Sequence, residues 1–206
     1  METIRSAVLL LSLLLASVSL AAPEAPDVLM SNATSEVLAS LKQDAELASD
    51  PSKLDGLINA KVVPVFDFSR MTQLAMARIW RPATARQRDR LTAEFQAMLL
   101  RTYSATLASY RDQAITYKAS RLVPGDTDAT VRSEVKKDAK VYKLDYEMTK
   151  TPDGWKVYDV KLDSVSLVTT YREGFAAKVR DSGVDGLIRA LAEKNRQSVA
   201  LAKGST

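Results

Sequence analysis

The chain of 206 residues contains no cysteine and no histidine. Without a thiol there is no disulfide, no cysteine for lipid attachment and no thiolate nucleophile, so the fold rests on its hydrophobic core alone. The absence of histidine as well excludes zinc sites of the Cys/His kind, Ser-His-Asp triads and Cys-His dyads. The seven glycines are scattered at turns and form no phosphate-cradling loop. Only one long apolar run occurs, from Ala7 to Leu20, and no second one could partner it in a bilayer.

That run follows a short charged stretch, Met1 to Ser6, and has the form of the apolar region of an export signal. As a helix it would span only about 21 Å, against a hydrocarbon core of about 30 Å, too short for a stable anchor. Ser19 and Ala21 give the small-x-small pattern of a cleavage site, so residues 1–21 are expected to be removed. The expected organisation is then a flexible Pro/Ala/Glu leader at 22–30 and one folded domain at 31–206, exported, not lipidated and free outside the cytoplasm. Removing the signal takes one Glu and one Arg and leaves the net charge at +4. A mildly basic exported protein suits anionic partners such as phospholipid headgroups or acidic protein faces, and the compartment argues against nucleic acid.

Helical spacing opens the fold. Val37, Leu38, Leu41, Ala45 and Ala48 predict a first helix ending at Asp50-Pro51, and Asp50 with Pro51 is the start signal of a second. Pro64 interrupts the second helix and makes 64–69 a bend, after which Ser69 is placed to cap a short helix reaching Trp80. Thr84 is the expected N-cap of a long helix to about Arg111, with Leu91, Phe95, Met98, Leu99, Thr102, Tyr103, Thr106 and Tyr110 on one face. The period then changes from 3.6 to 2. Strands are predicted near Ile115–Ser120, Thr130–Val135, Val141–Lys150 and Trp155–Leu162, the last two joined by the turn Thr151-Pro152-Asp153-Gly154. Helical spacing returns from about Val168, stops at Ser182-Gly183, and resumes from Asp185 to Ala202. Helices, an antiparallel sheet, then helices make an α+β domain with helices over one face of a curved sheet of four or more strands.

Catalysis would fall to carboxylates. Asp145 and Glu147, two apart, share the strand face opposite Leu144, Tyr146 and Met148, where solvation is expected. The apolar side chains of the long helix and of the sheet (Tyr117, Tyr142, Leu144, Tyr146, Met148, Trp155, Val157) are expected to face one another, and the pattern fits either a solid core or a ligand cavity. Arg86, Arg88 and Arg90 crowd the first turns of the long helix, where the macrodipole disfavours cations. Such a cluster fits either attraction for something anionic, a phosphate or an acidic partner surface, or a solvated basic face.

Three stretches carry a family resemblance: Trp155-Lys156-Val157-Tyr158-Asp159-Val160; Val165 to Arg172 with Phe175; and Gly183-Val184-Asp185-Gly186-Leu187-Ile188. With Pro64 before Phe66-Asp67-Phe68, the break at Trp80 to Thr84, Gln87-Arg88 and the Phe95, Leu99, Tyr103 stripe, they resemble the MlaC, or toluene-tolerance, family of periplasmic phospholipid-binding proteins. The resemblance implies a fold like nuclear transport factor 2, with a curved antiparallel sheet and helices enclosing an apolar cavity. It implies a carrier rather than an enzyme, with phospholipid as cargo and no cofactor. Its partners would be an inner-membrane MCE-domain ABC transporter and an outer-membrane lipoprotein complex, docked transiently. Lipid contact is expected from Val62, Phe66, Leu74, Phe95, Met98, Leu99, Tyr103, Tyr117, Leu144, Tyr146, Trp155, Val157, Leu167, Tyr171 and Phe175, and headgroup or partner contact from Arg86, Arg88 and Arg90. A small cavity enzyme on the same fold, or a ligand-free periplasmic adaptor, are the alternatives.

Overall fold

The computed structural model describes residues 24–137 and 140–204; the expected signal at 1–21 lies outside them. Helix α1 (Pro26–Gln43) starts ahead of Ser31, inside the stretch expected to be a leader, with Pro26 at its first position and Met30 already buried. Asp44 is extended and ends it, then caps α2 (Ala45–Ser49) by accepting from the Glu46 amide at 2.9 Å. The single first helix expected from spacing is thus two, because a short carboxylate side chain competes for backbone donors. Asp50 does start α3 (Pro51–Lys61), accepting from the Ser52 and Lys53 amides.

After a 3-10 turn at Val63–Val65, Phe66 makes a parallel bridge to Val157, and the Asp67 amide donates to the Val157 carbonyl at 2.8 Å. This anchor fixes where α4 (Phe68–Met76) begins. Its cap is Asp67, which accepts from the Arg70 amide at 2.8 Å, and Ser69 lies inside the helix. A 3-10 turn at Ala77–Trp80 follows, and Thr84 opens α5 (Ala85–Ser109) with a reciprocal capping box to Gln87.

The sheet is an antiparallel meander of β1 (Ala114–Tyr117), β2 (Asp128–Lys137), β3 (Lys140–Thr151), β4 (Gly154–Leu162) and β5 (Val165–Ser166), in that order. Its short outer strands offer little open edge for unwanted pairing. The register shifts between Glu147 and Met148, leaving Tyr158 of β4 as the extra residue of a bulge that bends the sheet. The brief β5 was not anticipated. It arises because Asp163 and Ser164 both take positive φ, 47° and 72°, in a two-residue hairpin turn.

A 3-10 turn (Thr169–Tyr171) leads into α6 (Arg172–Gly204), which breaks at Gly183, φ 69° and ψ 178°, where the sequence placed a stop. Gly186 is needed at the restart, since a Cβ there would sit 2.4 Å from the Ser182 Cβ.

Three apolar clusters hold the fold. One joins α4, α5 and α6 around Phe95, Met71, Leu91 and Ile188. A second lies between the sheet and α1, around Val131, Met148, Trp155, Val157 and Met30. The third packs α1 and α3 against the end of α5, through Val37, Leu41, Leu54, Ile58 and Ala108. The expected stripe on α5 therefore holds only for its first half. Leu91, Phe95, Met98 and Leu99 are buried, but against α4 and α6 rather than the sheet; Thr102, Tyr103 and Thr106 are exposed. Beyond Leu99, burial passes to Leu100, Leu107 and Ala108, because α1 and α3 cover a different side of the helix. No helix among the described residues is long and apolar enough to cross a membrane.

Candidate functional site: the open end of the sheet

Strand alternation builds the site. Residues directly opposite one another share a sheet face. The inner face therefore carries the pairs Ala129/Met148, Val131/Tyr146, Ser133/Leu144, Val135/Tyr142 and Lys137/Lys140 across β2 and β3. It continues as Met148/Val157, Tyr146/Val160 and Leu144/Leu162 across β3 and β4, and as Leu162/Val165 into β5.

Burial along this face is uneven, and on β2 Ser133 and Val135 are buried as well. At one end Val131, Met148, Trp155 and Val157 are sealed under α1 and Phe66. At the other, Leu162 is 48% and Val165 61% exposed. The chain just past α5 meets the sheet where β2 ends. Tyr103, 40% exposed, lies 3.4 Å from the Tyr171 hydroxyl, and the Lys137 ammonium sits 4.8 Å from the Tyr110 ring centre. Tyr103 of α5, Tyr110 just past its end, the Lys137/Lys140 pair and the Leu162/Val165 pair are the exposed or half-buried aromatic, cationic and apolar side chains at this end of the domain.

A chain of hydroxyls runs beneath it. Thr34 of α1 and Tyr117 of β1 share a hydrogen bond of 2.6 Å, and Tyr117 stacks on Tyr146, ring centres 6.2 Å apart. Burial raises the hydroxyl pKa of both tyrosines, most for Tyr146, and also that of Tyr171. All three are neutral donors at physiological pH.

The residues expected to touch lipid fall into separate groups. Leu74, Phe95, Met98, Leu99, Leu167, Tyr171 and Phe175 belong to the helical cluster, where Phe95 meets Tyr171 and Phe175 edge-on, each at 5.2 Å. Tyr117, Tyr146, Trp155 and Val157 belong to the sheet cluster, and Phe66 packs against both. Val62 lies apart, against the α1–α3 cluster. Tyr103 and Leu144 stand at the rim. Two surface grooves, of about 500 Å³ between α2, α3 and α5 and about 400 Å³ between α5 and α6, are lined by none of these residues.

Charged groups are largely committed on the outer face. Glu147, expected to be solvated, has a side chain only 17% exposed, accepting from the Lys161 ammonium at 2.6 Å and from Thr130 at 2.9 Å. That hydrogen bond raises the Lys161 pKa. Asp159 is buried and accepts from the Val168 amide. The described residues contain no group of three or more acidic side chains placed to hold a metal.

The arginine cluster also divides. Arg88 donates to the Trp80 and Arg81 carbonyls at 3.1 and 2.9 Å and lies over the Trp80 ring, so it ties the α5 start to the preceding turn. Arg70 pairs with Asp128 and stacks on Tyr158. Arg86 and Arg90 remain exposed, about 25 and about 20 Å along α5 from Tyr103. Sequence reading missed Lys137, Lys140, Leu162 and Val165 as site residues. Carrying the strand alternation to the ends of β2, β3 and β4 would have found all but Val165.

An antiparallel meander with an apolar inner face, part-covered by helices and left exposed on the Leu162 and Val165 side, defines an α+β domain with an open, curved sheet. Comparison with known proteins specifies it. The model of the MlaC protein family matches residues 31–193, and the chain belongs to that family. It is 25% identical over 166 residues to the toluene tolerance protein ttg2D of Pseudomonas putida, covering 80% of this chain and 77% of that one. It is 18% identical over 183 residues to the intermembrane phospholipid transport system binding protein MlaC of Haemophilus influenzae, covering 86% of each. A solved structure of the phospholipid-binding protein from Ralstonia solanacearum, in complex with a phospholipid, is 38% identical and superposes with a TM-score of 0.78, covering 85% of this chain and 99% of the other.

Proposed function

We propose that this protein is a periplasmic phospholipid carrier. Residues 1–21 direct export and are removed, and the domain at 31–206 shuttles lipid between an outer-membrane lipoprotein complex and an inner-membrane MCE-domain ABC transporter. The observation that carries this reading is the likeness, over 85% of the chain, to a structure that holds a phospholipid. The fold supports it through an apolar sheet face that is sealed at one end and exposed at the other.

Acyl chains would enter at the Leu144/Leu162 end and run toward Tyr146 and Met148, parting the sheet from α1 and Phe66, which cover that end. Phe66, shared by the two clusters, and the bend at Pro64 are the parts that move. A buried methylene is worth about 0.8 kcal/mol, so a sixteen-carbon chain gains on the order of 12 kcal/mol on leaving water. Release into water is correspondingly slow, and the lipid passes to a docked partner instead. Arg86 and Arg90, distant from the cleft rim, serve as contacts for an acidic partner face. No step requires catalysis or a cofactor.

The test is native mass spectrometry of the protein purified from cells without detergent. A carrier arrives with the added mass of a phospholipid. Protein that arrives empty and takes up no phospholipid when mixed with it contradicts the reading.

A further inference from the structure

We infer that Lys137 and Lys140 form the phosphate-recognition site for the lipid headgroup. The inference rests on the carrier reading and assigns the polar end of the same cleft. The two lysines are register partners on the inner face, at the last position before the β2–β3 connection. They lie on the same face as Val135, Tyr142 and Leu144, so one surface runs from cations at the rim to sealed apolar side chains at its base. From Tyr142 to Met148 the strand covers about 20 Å at ~3.3 Å per residue, comparable with one leaflet of a hydrocarbon core, about 15 Å. A phospholipid has this polarity: an anionic phosphate at one end and apolar chains along the rest.

Two ammonium groups on one strand pair repel each other unless an anion lies between them. Among the described residues neither forms an ion pair with a carboxylate, and Asp138, in the turn that joins them, lies outside those residues. Lys137 is instead held over the Tyr110 ring. That contact keeps its ammonium at the rim, between the uncovered sheet and α5. Lys136 and Lys143, on the same strands, take the outer face by alternation. They supply an internal control of equal charge.

The experiment compares dihexanoyl phosphatidylglycerol with dihexanoylglycerol, which has the same chains and no phosphate, by calorimetry on the full mature chain. K137Q/K140Q should weaken phosphatidylglycerol binding about tenfold at low salt, the difference shrinking as salt rises, and leave dihexanoylglycerol unchanged. K136Q/K143Q should change neither. Inorganic phosphate at millimolar concentration should not displace the lipid, whereas displacement that requires both lysines would overturn the headgroup assignment in favour of free phosphate. Equal weakening of both ligands in a variant with native circular dichroism, or no weakening of either, overturns the assignment. Wild-type protein that binds neither ligand overturns the carrier reading itself, a separate outcome.

Discussion

The two apolar clusters that flank Phe66 are built from similar side chains but differ in closure. In the helical cluster Phe95 and Leu91 are wholly buried between α4 and α6, with Tyr171 and Phe175 packed on the Phe95 ring. The sheet cluster is filled at the Trp155 end and bare at the Leu162 end. Burial in the first stabilises the fold. The second leaves apolar area exposed, which costs stability in water and is recovered when a ligand covers it. Stability and binding are thus expected to reside in different clusters.

Substitutions can break that separation. The largest effect is expected for Phe95→Ala, which leaves a cavity among α4, α5 and α6 and should cost about 3–5 kcal/mol in urea unfolding. Met98→Trp should overpack the same cluster and cost about 1–3 kcal/mol, with any lipid loss following the loss of fold. A smaller and more general effect concerns the buried tyrosines. The folded pKa values of Tyr117, Tyr146 and Tyr171 lie above the ordinary value of 10.0. Their contribution is complete below that pH and is lost as pH rises, because the unfolded chain gives up these protons first. Absorbance of tyrosinate at rising pH should show several tyrosines ionising only with unfolding; full ionisation in the folded protein near pH 10 would place them in solvent. Thr84→Ala removes the capping box and should cost about 1 kcal/mol in the same urea measurement.

The smallest stability change, within about 0.5 kcal/mol, is expected for Leu162→Trp at the exposed rim. Yet this variant should carry clearly less phospholipid in native mass spectra, because the indole occupies the way into the cleft. A stable Leu162→Trp with full lipid content would erase the distinction between the clusters.

Much of the fold was legible where a local rule acts alone. Asp50 with Pro51, Thr84 with Gln87, the alternation of β2 to β4, and Gly183 each carry their own stop or start signal. What escaped depends on tertiary contact. Asp67 displaced Ser69 as the α4 cap because its backbone is pinned to Val157. Tyr103 shares a helical stripe with Phe95 and Leu99, but periodicity reports which side chains share a face, not whether anything covers them. The arginines stood out as an unusual charge run, although Arg88 proved to hold carbonyls of the preceding turn. Lys137 and Lys140, divided by a turn, show no pattern in one dimension and become neighbours only through the β2–β3 register.

The central claim, that phospholipid occupies the cleft between the open end of the sheet and α5, is tested most directly with a phospholipid bearing a photoreactive group in its acyl chain. Cross-linked residues would be located by tandem mass spectrometry. The account predicts adducts at Tyr103, Leu144, Leu162 and neighbouring inner-face residues. Adducts confined to Pro51, Leu54 and Ala105, in the groove between α2, α3 and α5, would contradict it.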